Sequence, residues 1–200
     1  MKTAIKTTFA TLLAAVLTTS FAFATPASGS LKETSYVKPA MQGINKIWVS
    51  GNVKLVLTQG NEESICGNES YDSGNTSVQS KGQTLYINSS SAQQVTLNIT
   101  LKDLQRIEAY GQSVVLTSNN FDVKYLQVFL NQSAKAKVTA LTGSLYTVVN
   151  DDATLKMSGM THDHTLVARN MKNVKLTDLV CIRNSNAPMA KAARLAGLAK

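Results

Sequence analysis

The stretch "NKIWVSGNVKLVLTQG", Asn45 to Gly60, alternates apolar and polar residues on either side of a glycine. By parity Ile47, Val49, Val53, Leu55 and Leu57 fall on one face with Gly51 among them, while Trp48, Ser50, Asn52, Lys54 and Thr58 fall on the other. A period of two is that of a strand buried on one side. The stretch predicts two short strands joined at Gly51 and contains no residue type that would head a list of catalytic groups.

The same alternation continues along the chain. Leu85 and Ile87, then Val95, Leu97, Ile99 and Leu101, come in bursts separated by Gly, Asn, Ser and Asp, so the region from Ile44 to Asn184 reads as all-β. The segment Asn68 to Ser91 is rich in Ser, Asn and Gly and predicts an exposed turn at "YDSGNTS".

The second half repeats itself. Val114 and Leu116, Ala134 and Ala136, Ala153 and Leu155, Val174 and Leu176 form pairs recurring at intervals of about 20 residues. Ile107 and Ala109, Leu126 and Val128, Leu145 and Thr147, Leu166 and Ala168 form a second column with a similar interval. Each unit is two short strands and a turn, and such a unit buries its inward face only by stacking on its neighbours. Asn131, Asn150 and Asn170 fall at the same turn of three units, where asparagine tolerates a left-handed backbone and can hydrogen-bond along the stack. The expected fold is a β-solenoid, a right-handed parallel β-helix-like stack of short strands. A β-sandwich is the alternative, because regularly spaced short strands also build sandwiches.

Lys2 and Lys6 precede an apolar run from Phe9 to Leu17, and Ala22, Phe23 and Ala24 offer a cleavage site, which together predict a secretory signal over residues 1–24. The run is interrupted by Thr11 and followed by Thr18, Thr19 and Ser20, and it falls short of the roughly 20 apolar residues of a membrane helix. Removing Lys2 and Lys6 lowers the formal net charge of +8 by two. The remaining basic residues are scattered and aromatics are only 6% of the chain, so the interleaved basic and aromatic surface of a nucleic-acid binder is absent. Export leaves anionic or polyhydroxylated polymers, polysaccharide above all, and other envelope proteins as the partners to expect. It also permits a disulfide between Cys66 and Cys181, which sequence alone does not place.

"INKIWVSGNVKLVLTQG", "SICG", "LYIN" and "VTLNITLKDLQRIEAYGQSVVLTS" together resemble the GIN-domain head of putative auto-transporter adhesins, exported bacterial proteins found largely in Bacteroidetes. The resemblance covers Ile44 to Asn184. It differs where Ile44 replaces a phenylalanine ahead of the first strand and where "YGQS", "LNQS" and "VNDD" replace glycine-rich turns. The resemblance implies a β-helix-like fold and a surface-binding role, and it supplies no catalytic or binding residue.

Candidate chemistry is sparse. "THDHT" places His162 and His164 two apart, so on a regular strand both point one way, but two histidines do not fill a tetrahedral metal site. Asp151, Asp152 and Asp163 are the carboxylates a polysaccharide-cleaving enzyme would need as acid and base, yet adjacent Asp151 and Asp152 read as turn residues. No GxSxG elbow and no phosphate-binding glycine loop occur, so no catalytic residue, metal ligand or cofactor is assigned. The N-x-[ST] sequons at Asn68, Asn75, Asn88, Asn98 and Asn131 are expected by chance in so Asn-, Ser- and Thr-rich a chain.

After Pro188 the sequence "MAKAARLAGLAK" is alanine-rich and helical by propensity, a basic tail or a cap on the open end of the stack. The expected organisation is a signal over 1–24, a lead-in over 25–43, the β domain over 44–184 and the tail over 185–200. The expected function is that of an exported, non-catalytic, adhesin-like binder in the periplasm, at the cell surface or secreted, with no transmembrane segment in the mature chain. A small carbohydrate-active enzyme and a purely structural envelope component are the alternatives. A binder would present exposed aromatics such as Trp48, Tyr71 or Tyr110 on a flat face, whereas an enzyme would converge carboxylates in a groove.

Overall fold

The computed structural model describes residues 42–186. The expected signal, the lead-in up to Met41 and the tail from Ala187 onward lie outside the described residues. Twelve strands follow in chain order: β1 (Lys46–Gly51), β2 (Val53–Gln59), β3 (Ser64–Gly67), β4 (Thr76–Lys81), β5 (Thr84–Ser89), β6 (Val95–Leu101), β7 (Arg106–Ala109), β8 (Val114–Thr117), β9 (Phe121–Leu130), β10 (Lys135–Val149), β11 (Thr154–Ala168) and β12 (Val174–Asn186). The described residues form no α-helix, only a 3-10 turn at Met171–Asn173, so the all-β expectation holds.

All strands belong to one sheet. Every pairing is parallel except β3 with β6 and β4 with β5. The antiparallel pairing that builds a sandwich is therefore confined to the outer edges of the two ladders, β3 on β6 and β4 on β5. One ladder runs β4, β5, β1, β7, β9 and a second runs β3, β6, β2, β8. They merge on β10, whose start (Lys135–Lys137) pairs with β8 and whose later part (Ala140–Val149) pairs with β9. β11 and β12 continue the stack beyond β10.

Inward columns run unbroken through the ladders. Leu85, Ile47, Ile107, Val128, Thr147 and Leu166 are successive partners on one wall, and Leu97, Leu55, Val115, Ala136, Leu155 and Val174 on the other. All but the terminal Val174 are buried. At roughly 25 cal/mol per Å² of apolar surface removed from water, this shared core is what holds the strands together.

Two details depart from the sequence reading. The first is face: Val115, not Val114 and Leu116, aligns with Ala136 and is buried, because a one-residue slip in register exchanges the two sides of a strand. In the other column the faces are right and Leu126 lies beside Leu145 as the spacing has it, but the partners shift by two on either side, with Ile107 beside Val128 and Leu145 beside His164. The second is order: β1 lies between β5 and β7, and β2 between β6 and β8, so the first turn of the chain is inserted between the later ones.

The chain bends from β1 into β2 at Gly51, whose φ is +88°. A Cβ there would overlap the Ser89 carbonyl oxygen and lie 3.0 Å from its carbon. Only glycine lets β5 approach so closely. At the β10–β11 turn the asparagine ladder forms in part: Asn150 Nδ2 donates to Asn131 Oδ1 at 2.9 Å across 19 residues. The left-handed residues are their successors Gln132 (φ 59°) and Asp151 (φ 53°), with Gln132 N donating to Asp151 Oδ2 at 3.0 Å. Asn170 leaves the ladder, and its side chain instead accepts from Lys172 N at 3.1 Å to cap the 3-10 turn.

Candidate functional site

Each strand of the β1 wall turns one side chain outward for each it buries. In the outward column the successive partners are Tyr86, Trp48, Glu108, Phe129, Val148 and Val167, donated by β5, β1, β7, β9, β10 and β11. Glu108 apart, this column is aromatic and aliphatic where a solvated sheet face would be polar. Trp48 lies 5.4 Å from Tyr110 and 6.1 Å from Tyr86 between ring centroids, and Phe129 lies 5.8 Å from Tyr146, all in tilted arrangements. Such pairs contribute about 0.5–1.5 kcal/mol each beyond area burial.

Polar groups border the rings. The Arg106 guanidinium sits 4.4 Å over the Phe129 ring, pairs with the Glu108 carboxylate and donates to Gln127 Oε1 at 3.4 Å. Tyr110 donates its hydroxyl proton to Glu108 Oε2 at 3.3 Å, and burial, then the Glu108 charge, push that hydroxyl above the usual phenol range. Burial alone raises Tyr146. Tyr86 is 41% exposed at the open end of the stripe, whereas Val148 and Val167 at the other end are 8% and 1% exposed. The result is a row of mutually tilted rings with an Arg–Glu–Tyr network beside it, able to pack on a planar or ring-shaped ligand and to hydrogen-bond its edge.

A second outward surface lies where β9 to β12 turn their corner. Leu141, Met160, His162, Ile182 and Lys124 line a shallow groove of about 520 Å³, with Met160 and Ile182 exposed. Its rim carries a small charge cluster in which Asp163 accepts from His162 Nδ1 at 2.9 Å and faces Arg183 Nε at 2.8 Å. The hydrogen bond from His162, then the Arg183 charge, hold the Asp163 carboxyl below its usual range.

The histidines of "THDHT" do not point one way. The strand bends between them, leaving His162 exposed while His164 turns into the core, 1% exposed, with Nε2 2.9 Å from Thr147 Oγ1. Burial holds the His164 imidazole below its ordinary range. The carboxylates do not converge either. Asp151 is committed to the β10–β11 turn, with Arg169 3.9 Å away, and Asp163 sits inside β11 with its own partners. Cys66 and Cys181 are both free, on β3 and β12 at opposite ends of the strand stack. Of the aromatics named from sequence, Trp48 and Tyr110 lie in the stripe, whereas Tyr71 packs over Gly67 against the core. Tyr86, Arg106, Phe129 and Tyr146 were missed, although outward parity on their strands marks each of them.

The family model "Putative auto-transporter adhesin, head GIN domain" matches residues 43–187. The chain belongs to this family. Solved structures with a similar fold include a "putative adhesin" from Bacteroides fragilis, 14% identical, covering 74% of each chain with a TM-score of 0.62. A second "putative adhesin", from Parabacteroides distasonis, is 12% identical over 76% of this chain and 75% of that one, TM-score 0.59. A "putative lipid binding protein" from the same species is 12% identical over 78% of each chain, TM-score 0.57. At such identities the likeness is one of fold. No curated protein matches the sequence. Among the described residues no helix is long and apolar enough to cross a membrane.

Proposed function

We propose that this GIN-domain chain is an exported, non-catalytic binding module of the bacterial cell envelope that holds an extended polysaccharide-like polymer on its aromatic stripe. The observation that carries the reading is Trp48 flanked by Tyr86 and Tyr110 on one outward face, with Arg106, Glu108 and Gln127 beside it. The apolar faces of sugar rings stack on such side chains, and their hydroxyls take the neighbouring donors and acceptors. The platform belongs to a stack that we read as a β-solenoid, right-handed as crossovers between parallel strands almost always are. Its turns recur every 19 residues or so, as the Asn131–Asn150 step does.

Hydrolysis needs two carboxylates about 5–10 Å apart across one bond. Asp151 and Asp163 have separate partners on separate segments, which favours binding without turnover. The test is retention of the full chain on envelope and plant polysaccharides in a pull-down, with Trp48→Ala alongside. The expected result is retention that Trp48→Ala weakens at least ten-fold and no new reducing ends. Retention indifferent to Trp48→Ala would move the site elsewhere. Released oligosaccharides that vanish in an Asp151→Asn, Asp152→Asn double variant would make the protein an enzyme.

A further inference from the structure

β12 is the last strand of the stack among the described residues and pairs with β11 alone. Its 13 residues present a backbone edge that no other described strand takes up. The core columns end on it part-open, since Val174, Leu176 and Leu179 pack against the core without being buried. On the outward side Leu141, Met160 and Val180 are successive partners across β10, β11 and β12, and exposure rises from 39% at Leu141 to 59% at Val180. Ile182, further along the same edge, is 66% exposed. Long, apolar, unpaired edges are templates for pairing with another chain. The outer edges of the two ladders differ in this respect, because antiparallel β3 and β4 close them.

We propose that β12 pairs antiparallel with β12 of a second copy of this chain, joining two stacks end to end about a two-fold axis at Cys181. An isologous contact of this kind buries the same patch on both copies. Keeping the two outward sides on one face requires that a residue sit on the axis and face its own copy. With Cys181 there, Val180 of each copy faces Ile182 of the other, so the exposed aliphatic side chains meet in two cross-strand contacts. With Val180 on the axis, Ile182 would face Asp178 instead. With Ile182 on the axis, Val180 would face Asn184.

The charges fit the same register. Asp178 faces Asn184 and Arg183 faces Leu179 of the second copy, so like charges never oppose. Asp178 keeps Lys156 at 3.0 Å and Arg183 keeps Asp163 at 2.8 Å. The irregularity of β12 against Lys156 and Ser158 lies before residue 178, which leaves residues 178–184 a regular edge. β12 is thus its own complement, whereas an unrelated strand would have to supply both aliphatic positions and the polar flanks at this spacing. The outward column of Leu141, Met160 and Val180 then runs on across the junction into Ile182 of the second copy. This inference concerns the end of the stack and stands whether or not the aromatic stripe binds a polysaccharide.

The experiment reads association of the chain as recovered from the producing cell. Sedimentation over a range of concentrations is expected to show a monomer–dimer equilibrium. Val180→Lys and Ile182→Lys should each raise the dissociation constant at least ten-fold, because each sets ammonium groups in the contact, whereas Ser77→Lys on β4 should leave it unchanged. Circular dichroism checks that the strands are retained. Register is read by cross-linking in a Cys66→Ser background, where copper–phenanthroline takes two electrons from a pair of Cys181 thiols, which lose their protons and join across the axis. Directly opposed residues of antiparallel strands have Cα atoms about 4.5–5.5 Å apart, within the span of a disulfide. Moving the thiol off the axis with Cys181→Ser and Ser185→Cys should slow cross-linking at least ten-fold. A monomer at every concentration overturns the proposal, as it would if residues beyond Asn186 or another protein took the edge. A dimer that is dissolved by Ser77→Lys, that is indifferent to both Val180→Lys and Ile182→Lys, or that cross-links as readily through residue 185 overturns it too.

Discussion

Replacing Gly51 by alanine tests whether the close approach of β1 and β5 organises the start of the stack. The backbone at Gly51 has φ +88°, outside the region an L-residue occupies without strain, which costs about 1–2 kcal/mol. The added Cβ also overlaps the Ser89 carbonyl oxygen and lies 3.2 Å from Ser89 N. Both neighbours are backbone, so relief requires shifting β5 and loosening the Gly51–Ser89 end of its ladder. One lost or stretched backbone hydrogen bond adds about 1 kcal/mol. Gly51→Ala should therefore destabilise by about 2–3 kcal/mol, and with roughly 2–4 °C per kcal/mol for a domain of this size the melting temperature should fall by about 4–12 °C. Gly82 supplies the control. Its φ is +59°, but a Cβ there meets nothing within 4 Å, so Gly82→Ala carries the backbone term alone. Thermal unfolding followed by circular dichroism checks the pair. Equal shifts in the two variants would refute the claim that contact with Ser89 adds to the backbone strain.

Register makes a second prediction: Val115→Asp should cost several kcal/mol by burying an unpaired carboxylate, and Val114→Asp little, with thermal shifts as the readout. The same contrast is expected between Leu155→Asp and Thr154→Asp. His164 predicts a pH dependence. Its folded pKa is depressed by burial, so below about pH 6.5 the unfolded chain binds the proton first, and stability is complete above that pH and falls on acidification. Urea midpoints compared on either side of that value should differ, and His164→Gln should flatten the difference. Mass spectrometry of protein recovered from the producing cell is expected to place the mature N-terminus at or near Thr25, and recovery of intact Met1 from the envelope would contradict the signal reading.

The strands of the opening stretch were legible because period-two alternation survives any register: Ile47, Val49, Val53, Leu55 and Leu57 are all buried. Register was not. In "SVVLTS" three apolar residues in a row leave the alternation undecided, and the inward pair is Ser113 and Val115, a small buried hydroxyl that apolar counting passes over. The corner in β11 was invisible for a related reason. Parity assumes a straight strand, and at Thr161 the hydroxyl donates to the Asp163 carbonyl at 3.0 Å, within the bend that sends His162 and His164 opposite ways.

The stripe itself could not be read from spacing, because its members become neighbours only through the inserted first turn. Had the turns stacked in chain order, β1 would have formed one end of the stack. Instead β1 lies between β5 and β7, which sets Trp48 beside Tyr86 on one side and Glu108 on the other. The antiparallel strands β3 and β4 then close the edges of β6 and β5; both are short and β4 is largely polar, as protected edges are. The chain's one tryptophan thus sits inside the wall, not at its rim, with aromatic neighbours from turns that sequence distance separates widely. The excursion through β3 to β6 before β7 returns to β1 makes the platform, and it is at once a topological feature and the reason for proposing a site there.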